Sequence, residues 1–149
     1  MEITIFNDPV KQTFELFKKS GFEYGDVIPK EWFMKNFRLD PPKTADEMNR
    51  VNVIYMNFMG ELRAILLTEN KMALRSKPGI GQEIVKPKEQ TAWAVNEVKR
   101  SIAKELERAR DRVYNIDYTF LSESERQENS DAVAKLSFFA NKSMKALTW

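Results

Sequence analysis

The chain has 149 residues, of which 42% are hydrophobic and 31% charged, and this is the composition of about one ordinary globular domain. It contains no cysteine and no histidine, which excludes disulfides, thiolate zinc sites, cysteine nucleophiles and serine–histidine–aspartate triads. The net charge of +2 is too small to indicate nucleic acid by itself. We therefore expect a binding protein without a cofactor or metal, and an enzyme that uses carboxylates and Mg²⁺ is the remaining catalytic alternative.

The sequence lacks the signals of export and of membrane insertion. The first residues include no basic segment followed by a long apolar run, as a signal peptide would. No stretch approaches the roughly 20 apolar residues that span a bilayer. We expect a soluble, cytoplasmic protein that has no membrane partner.

Two short helices are predicted near the N-terminus. Asp8 and Pro9 are favoured as the cap and first residue of a helix over residues 9–20, which Gly21 ends. A second helix is predicted from about Pro29 to Phe37, after a turn and before a stiff Pro-Pro connector. Their predicted core residues are Val10, Phe14, Phe17, Trp32, Phe33 and Phe37.

A long third helix is predicted over residues 44–68. Thr44 and Glu47 form a capping box, in which each side chain bonds to the backbone amide of the other. Gly60 is unfavourable by about 1 kcal/mol relative to alanine inside a helix, and we interpret it as a close helix crossing. The predicted apolar face recurs with helical period at Met48, Val51, Ile54, Tyr55, Phe58, Leu62, Ile65 and Leu66.

The next segment predicts a small β-hairpin over residues 72–86. Two short runs with apolar members flank Lys77-Pro-Gly-Ile-Gly, in which proline presets a turn and the glycines supply positive φ angles. Pro87 ends the second run.

The rest of the chain predicts two long helices. The first covers about residues 88–116 and has an apolar seam of nearly heptad spacing, and Ser122 with Glu125 is a second capping box that opens the other. We expect these helices to pack as an antiparallel helical hairpin, and a dimer through the same seam is the alternative. The seam comprises Val95, Val98, Ile102, Leu106, Ala109, Val113 and Ile116.

Positive charge is concentrated around the predicted β-hairpin. Residues 63–88 carry 6 basic and 2 acidic side chains, whereas the whole chain has a net charge of only +2. Basic side chains neutralise phosphates, and exposed glycine amides allow a close approach to a nucleic-acid backbone. The alternative is a hairpin whose lysines only protect its edge and keep it hydrated. The candidate nucleic-acid-binding residues are Arg63, Lys71, Arg75, Lys77, Gly79, Gly81, Lys86 and Lys88.

Residues 66–85, Leu-Leu-Thr-Glu-Asn-Lys-Met-Ala-Leu-Arg-Ser-Lys-Pro-Gly-Ile-Gly-Gln-Glu-Ile-Val, resemble the wing of winged-helix DNA-binding domains. In those domains three helices precede a two-stranded hairpin whose tip lies on the nucleic-acid backbone, and the third helix reads the groove. The resemblance covers about residues 9–87. It implies a mainly α fold with one small β-hairpin: a winged-helix-like unit in residues 1–87, followed by a two-helix extension in residues 88–149.

The resemblance implies a double-stranded DNA-binding regulatory or accessory factor of the phage or mobile-element type, for example in transcription, and we expect a homodimer through the C-terminal helices. The alternative is a protein-binding adaptor or inhibitor that meets its partner through the C-terminal helices. The residues expected to contact a protein partner or a second copy are Val98, Ile102, Leu106, Phe139 and Trp149.

Overall fold

The structure of the chain, a computed structural model, describes residues 8–147 and is mainly helical, as predicted. The chain divides between Gln90 and Thr91 into two compact units. In chain order the elements are α1 (Pro9–Lys19), β1 (Val27–Pro29), α2 (Lys30–Asn36), α3 (Ala45–Asn70), β2 (Leu74–Lys77), β3 (Gly81–Ile84), α4 (Pro87–Tyr114), a 3₁₀ turn (Tyr118–Phe120) and α5 (Glu123–Ala146).

The helices begin at the capping residues that the sequence indicates. The Asp8 carboxylate accepts from the amide of Val10, and Pro9 occupies the first turn of α1. At the start of α3 the Thr44 hydroxyl accepts from the Glu47 amide at 3.2 Å. The Ser122 hydroxyl accepts from the Glu125 amide in the same way at the start of α5. The Thr44 and Ser122 caps are therefore present, whereas the glutamates bond differently from the prediction: Glu47 accepts from the Lys43 amide at 2.8 Å and Glu125 from the Ser122 hydroxyl at 3.1 Å.

The sheet has three antiparallel strands in the order β1-β3-β2, rather than the two of a single hairpin. β2 and β3 are neighbours in sequence and pair with Leu74 opposite Ile84. β1 lies where the sequence predicts a turn, and it adds to the other edge of β3 with Ile28 opposite Gln82. The prediction of one small hairpin was therefore incomplete, because a third strand lies between α1 and α2.

An aromatic core fills the space between the sheet and α1, α2 and α3. Phe33 of α2 and Phe37, the residue that follows α2, are fully buried, and their rings contact those of Trp32, Tyr55 and Phe58. Aromatic rings at such edge-to-face angles gain about 0.5–1.5 kcal/mol per pair beyond the area they bury. The remaining buried apolar side chains of this unit are Val10, Phe14, Phe17, Ile28, Met59, Leu62, Leu66, Ala73, Leu74, Ile84 and Val85.

The buried face of α3 differs from the predicted one at three positions. Met48 and Ile54 are exposed, whereas Met59, which the predicted face omitted, is 2% exposed. The core is contacted by Tyr55, Met59, Leu62 and Leu66, which recur every three or four residues. The prediction went wrong because α3 has apolar residues on more than one side, so that its apolar period does not single out one face.

The second unit comprises most of α4, the 3₁₀ turn and α5. Most positions of the apolar seam of α4, such as Ile102 and Val113, are half-buried, whereas Val98 is exposed. Asn129 is the one buried residue of α4 and α5 within the part of the chain that the structure describes. The amide of Asn129 donates to the Tyr118 hydroxyl at 2.6 Å, and Arg126 donates to the Tyr118 carbonyl at 2.8 Å. The antiparallel helical hairpin stays a prediction.

Candidate nucleic-acid interface

The tip of the β2–β3 hairpin is a tight turn over Lys77-Pro78-Gly79-Ile80. The Ile80 amide donates to the Lys77 carbonyl at 3.0 Å, and Gly79 has a φ of 76°. Proline followed by a glycine with positive φ is typical of a type II turn. Pro78, Gly79 and Ile80 are exposed, so the Gly79 backbone is accessible at the tip as predicted.

Gly81 has a different role from the one expected of it. It is buried at the start of β3, and a Cβ built on it would lie 1.9 Å from the carbonyl oxygen of Ile28. Gly79 has a positive φ, but Gly81 does not. Gly81 is required by the close approach of β1, and it is removed from the predicted phosphate-binding set because its backbone is covered.

Arg75 and Lys77 form ion pairs with the same carboxylate. Glu83 lies opposite Arg75 on β3, and its two oxygens are 2.7 Å from the Arg75 guanidinium and 2.9 Å from the Lys77 amine. The Glu83 side chain is only 12% exposed. Glu89 of α4 lies 3.8 Å from the same guanidinium. Two of the cations assigned to phosphate binding are thus already paired within the protein.

The cations lower the pKa of Glu83. The hydrogen bond from Lys77 contributes most, followed by the one from Arg75, and burial opposes both. Glu83 is therefore ionised at neutral pH. A phosphate that binds Arg75 or Lys77 must compete with a fixed carboxylate.

Arg63 is engaged on the opposite face of the sheet. Its guanidinium donates to the Gln82 side-chain oxygen at 2.7 Å, and Gln82 is also hydrogen-bonded to Tyr55. Burial raises the pKa of the Tyr55 hydroxyl, and the Arg63 charge partly offsets this. Arg63 links α3 to β3 in a buried polar network, and this is a structural role.

The remaining candidate lysines lie at the open end of the hairpin. Lys71, Lys86 and Lys88 are exposed. Lys71 ends α3 in the left-handed conformation, and its amine donates to the Thr68 carbonyl at 3.3 Å. The Lys86 side chain passes beside Gly25, where a Cβ would lie 2.9 Å from the lysine Cε. These three lysines, named here the hairpin-base lysines, have no ion pair with a carboxylate among residues 8–147.

Lys30 is a cation near the tip that the sequence analysis missed. It begins α2, and its amine lies 4.9 Å from the centre of the Tyr55 ring. Together with Lys77 and Gly79 it lines a cleft of about 290 Å³ under the turn. Only the pairing of β1 with β3 brings residue 30 to the tip, and no local sequence signal reports that pairing.

The exposed side of α3 carries both polar and apolar side chains. Base edges in the major groove are recognised by hydrogen-bonding side chains. Exposed polar residues of this kind on α3 are Asn49, Arg50, Asn52 and Asn57. They lie beside the exposed apolar residues Val53 and Met56, and the first turn of the helix carries Asp46 and Glu47. Groove reading by α3 therefore stays a prediction.

A second concave surface lies between the Pro-Pro connector and the start of α3. This groove has a volume of about 790 Å³, and its charges nearly cancel, with three basic and two acidic side chains. It attracts phosphate less than the hairpin does, since residues 71–88 carry five basic side chains and one acidic. The charged residues of the groove are Arg38, Lys43, Arg50, Asp40 and Glu47.

The residues predicted to contact a partner lie partly on exposed surface. Val98 is 48% and Phe139 56% exposed. Ile102 and Leu106 are half-buried. Trp149 lies outside the described residues.

Residues 8–147 contain neither a metal-binding cluster nor a membrane-spanning helix, and comparison with known proteins gives no further indication of function. No three acidic side chains there are grouped so as to hold a metal ion. None of the helices in this range is long and apolar enough to cross a membrane. Comparison of the chain with protein-family models, curated proteins and solved structures found no match.

Proposed function

We propose that the protein binds double-stranded nucleic acid through the β2–β3 hairpin, as a regulatory or accessory factor. The observation that carries this proposal is the exposed turn at Gly79 together with the hairpin-base lysines, which have no carboxylate partner among the described residues. Lysines of this kind bind phosphates as point charges, and an exposed glycine lets the tip approach the backbone. Binding is expected to depend on the phosphate backbone and to show little sequence preference.

A winged-helix-like unit in residues 9–87 is part of the proposal. Three helices precede the antiparallel β2–β3 pair, which is the order of elements that such domains have. In the proposed mode the hairpin contacts the duplex, and no base-reading role is assigned to α3.

The test replaces Lys71, Lys86 and Lys88 together by glutamine and measures binding to a short labelled DNA duplex by fluorescence anisotropy. The triple variant should bind at least about tenfold more weakly at low salt, because it loses three phosphate contacts. Its log–log salt slope should be smaller in magnitude by roughly 3, at about one unit per lysine.

The matched control carries the same loss of charge elsewhere. Lys11, Lys19 and Lys35 are exposed lysines of α1 and α2, and their glutamine variants should retain most of the affinity and nearly the full salt slope. An equal loss in both triple variants would contradict a specific role of the hairpin. Arg75→Glu with Lys77→Glu is a poor test, because it places two carboxylates beside Glu83 and destabilises the sheet.

Protein binding through the C-terminal region is a second candidate function, and the exposed aromatic side chains of the second unit favour it. Phe120 is 85%, Phe138 65% and Phe139 56% exposed. Aromatic side chains are enriched at the centres of protein interfaces, where their truncation costs much of the affinity.

This second function is tested by comparing the proteins that the immobilised chain retains from a nuclease-treated lysate. Phe120→Ser with Phe139→Ser should lose a retained protein, whereas Leu16→Ser, at an exposed leucine of α1, should keep it. If both variants retain the same proteins as the wild type, the aromatic surface does not bind a partner.

A further inference from the structure

An apolar stripe runs along α3 on the side opposite the core. It is formed by Val53, Met56, Gly60, Ala64 and Leu67, which are spaced by three, four, four and three residues and so lie on one helix face. Val53, Met56 and Leu67 are 59%, 70% and 44% exposed. A Cβ on Gly60 would have nothing within 4 Å. The close helix crossing that Gly60 suggests is therefore not made by the described residues around it.

We propose that this stripe binds a second copy of the chain, with the two α3 helices antiparallel and a twofold axis passing at Gly60. The proposal does not rest on nucleic-acid binding, and Lys71 is the one residue that the two proposed surfaces share. It also uses a different surface from the C-terminal seam that contains Val98, Ile102 and Leu106.

The first reason is that the stripe is complementary to itself. Under a twofold axis at residue 60, residue 56 of one copy faces residue 64 of the other, so a large methionine meets a small alanine. Val53 likewise faces Leu67, and Gly60 faces Gly60. The mean spacing of 3.5 residues is the one that keeps two helices in contact along a seam. Gly60 allows the closest approach at the axis.

The second reason is that the two ends of the stripe carry opposite charges. Asp46 lies in the first turn of α3, and Lys71 is the residue that ends the helix. Antiparallel packing brings Asp46 of one copy near Lys71 of the other at both ends of the interface, and it opposes the two helix dipoles. Parallel packing would instead bring like charges together.

The small area of the interface indicates a weak association. The stripe spans about 21 Å, since 14 residues separate its ends and each residue rises about 1.5 Å. One helix from each copy buries less than the roughly 1,200–2,000 Å² of a stable interface. We therefore expect a weak dimer with a dissociation constant on the order of tens of micromolar.

Single cysteines test the geometry directly, because the chain has none of its own. Facing Cα atoms of packed helices lie about 4–5 Å apart, which a disulfide can bridge. Gly60→Cys should therefore form a disulfide-linked dimer under mild oxidation, because the covalent bond traps the contact even though the added side chain weakens the non-covalent dimer. Val53→Cys is the matched control: Val53 is also exposed, but in the antiparallel dimer its two copies are about 21 Å apart and should not cross-link.

Sedimentation equilibrium of variants without cysteine completes the test. Met56→Glu should make the chain monomeric at all concentrations, while Ile54→Glu, which places the same charge on another exposed side of α3, should leave the dimer intact. Cross-linking of Val53→Cys as efficient as that of Gly60→Cys would overturn the antiparallel geometry. A wild-type chain that stays monomeric at about 100 µM, several times the expected dissociation constant, would overturn the dimer itself.

Discussion

Glu83 neutralises part of the positive charge that the hairpin would otherwise present to a binding partner. One carboxylate is shared by a guanidinium and an amine on the neighbouring strand, and it is mostly buried between them. The sequence reveals the three charges but not their pairing, because Arg75 faces Glu83 only in the register that a three-residue turn over 78–80 imposes. The ion pair of Arg75 with Glu83 is therefore part of the hairpin's own structure as well as of any binding site there.

Replacing Glu83 by glutamine should lower the free energy of unfolding by about 1–2 kcal/mol near neutral pH, measured by urea denaturation. The loss is smaller than the roughly 3–5 kcal/mol of a fully buried pair, because Arg75 and Lys77 are 29% and 41% exposed and stay hydrated. Glu89→Gln is the matched control and should cost little, since its carboxylate is 3.8 Å from Arg75 and 44% exposed.

The pH dependence of this difference follows from the lowered pKa of Glu83. A carboxyl whose pKa is lower in the folded chain stabilises the fold above its unfolded pKa, and this contribution is lost as the pH falls through the folded pKa. The gap between wild type and Glu83→Gln should therefore be full at pH 7 and shrink below the ordinary glutamate value of 4.5. A gap that stays constant down to about pH 3 would show that the ion pairs do not cause it.

At the scale of elements, helices were predictable and the third strand was not. Caps such as Asp8, Thr44 and Ser122 are local signals, so helix starts could be located to within one or two residues. β1 has three residues and ends in proline, which leaves no alternating pattern to detect, and it exists because it pairs with a strand more than fifty residues later. The position of Lys30 near the hairpin tip could not be predicted from the sequence for the same reason, because it depends on the pairing of β1 with β3.

Replacing Gly60 of α3 should change the stability of the single chain and the affinity of the proposed dimer in opposite directions. Gly60→Ala should raise the free energy of unfolding by roughly 1 kcal/mol when measured at concentrations too low for association, because alanine is the better helix former and the added Cβ meets open space. The same change should weaken the dimer, since it adds a methyl group at the closest point of the two helices.

The reverse substitution four residues later is the control for that prediction. Ala64 is also exposed on α3, and Ala64→Gly should lower the free energy of unfolding by a similar amount. If Gly60→Ala failed to stabilise the monomeric chain, Gly60 would be in contact with another part of the protein.

At the scale of the whole molecule, the two units differ in how much apolar surface they bury. Among residues 8–147 every buried apolar side chain lies between Val10 and Val85, and the described part of α4 contains no buried residue. A helix usually gains most of its stability from tertiary packing of an apolar face. The first unit therefore has a core of its own, whereas the second gains little from burial within one chain.

A chain cut after Gln90 should accordingly keep the fold of the first unit. Residues 1–90 contain the whole aromatic core and both edges of the sheet, so their free energy of unfolding should be within about 1 kcal/mol of that of the corresponding transition in the full chain.

A chain cut after Asn70 is the control, and it should not fold, because it loses Leu74, Ile84 and the pairing partner of β1. Near-ultraviolet circular dichroism of Trp32 and its aromatic neighbours reports the packing of the core. Because the full chain contains two further tryptophans, the chains are compared by their urea unfolding transitions and not by the size of this signal. An unfolded 1–90 chain would mean that the core requires α4 and α5, and the two units would then have to be treated as one folding unit.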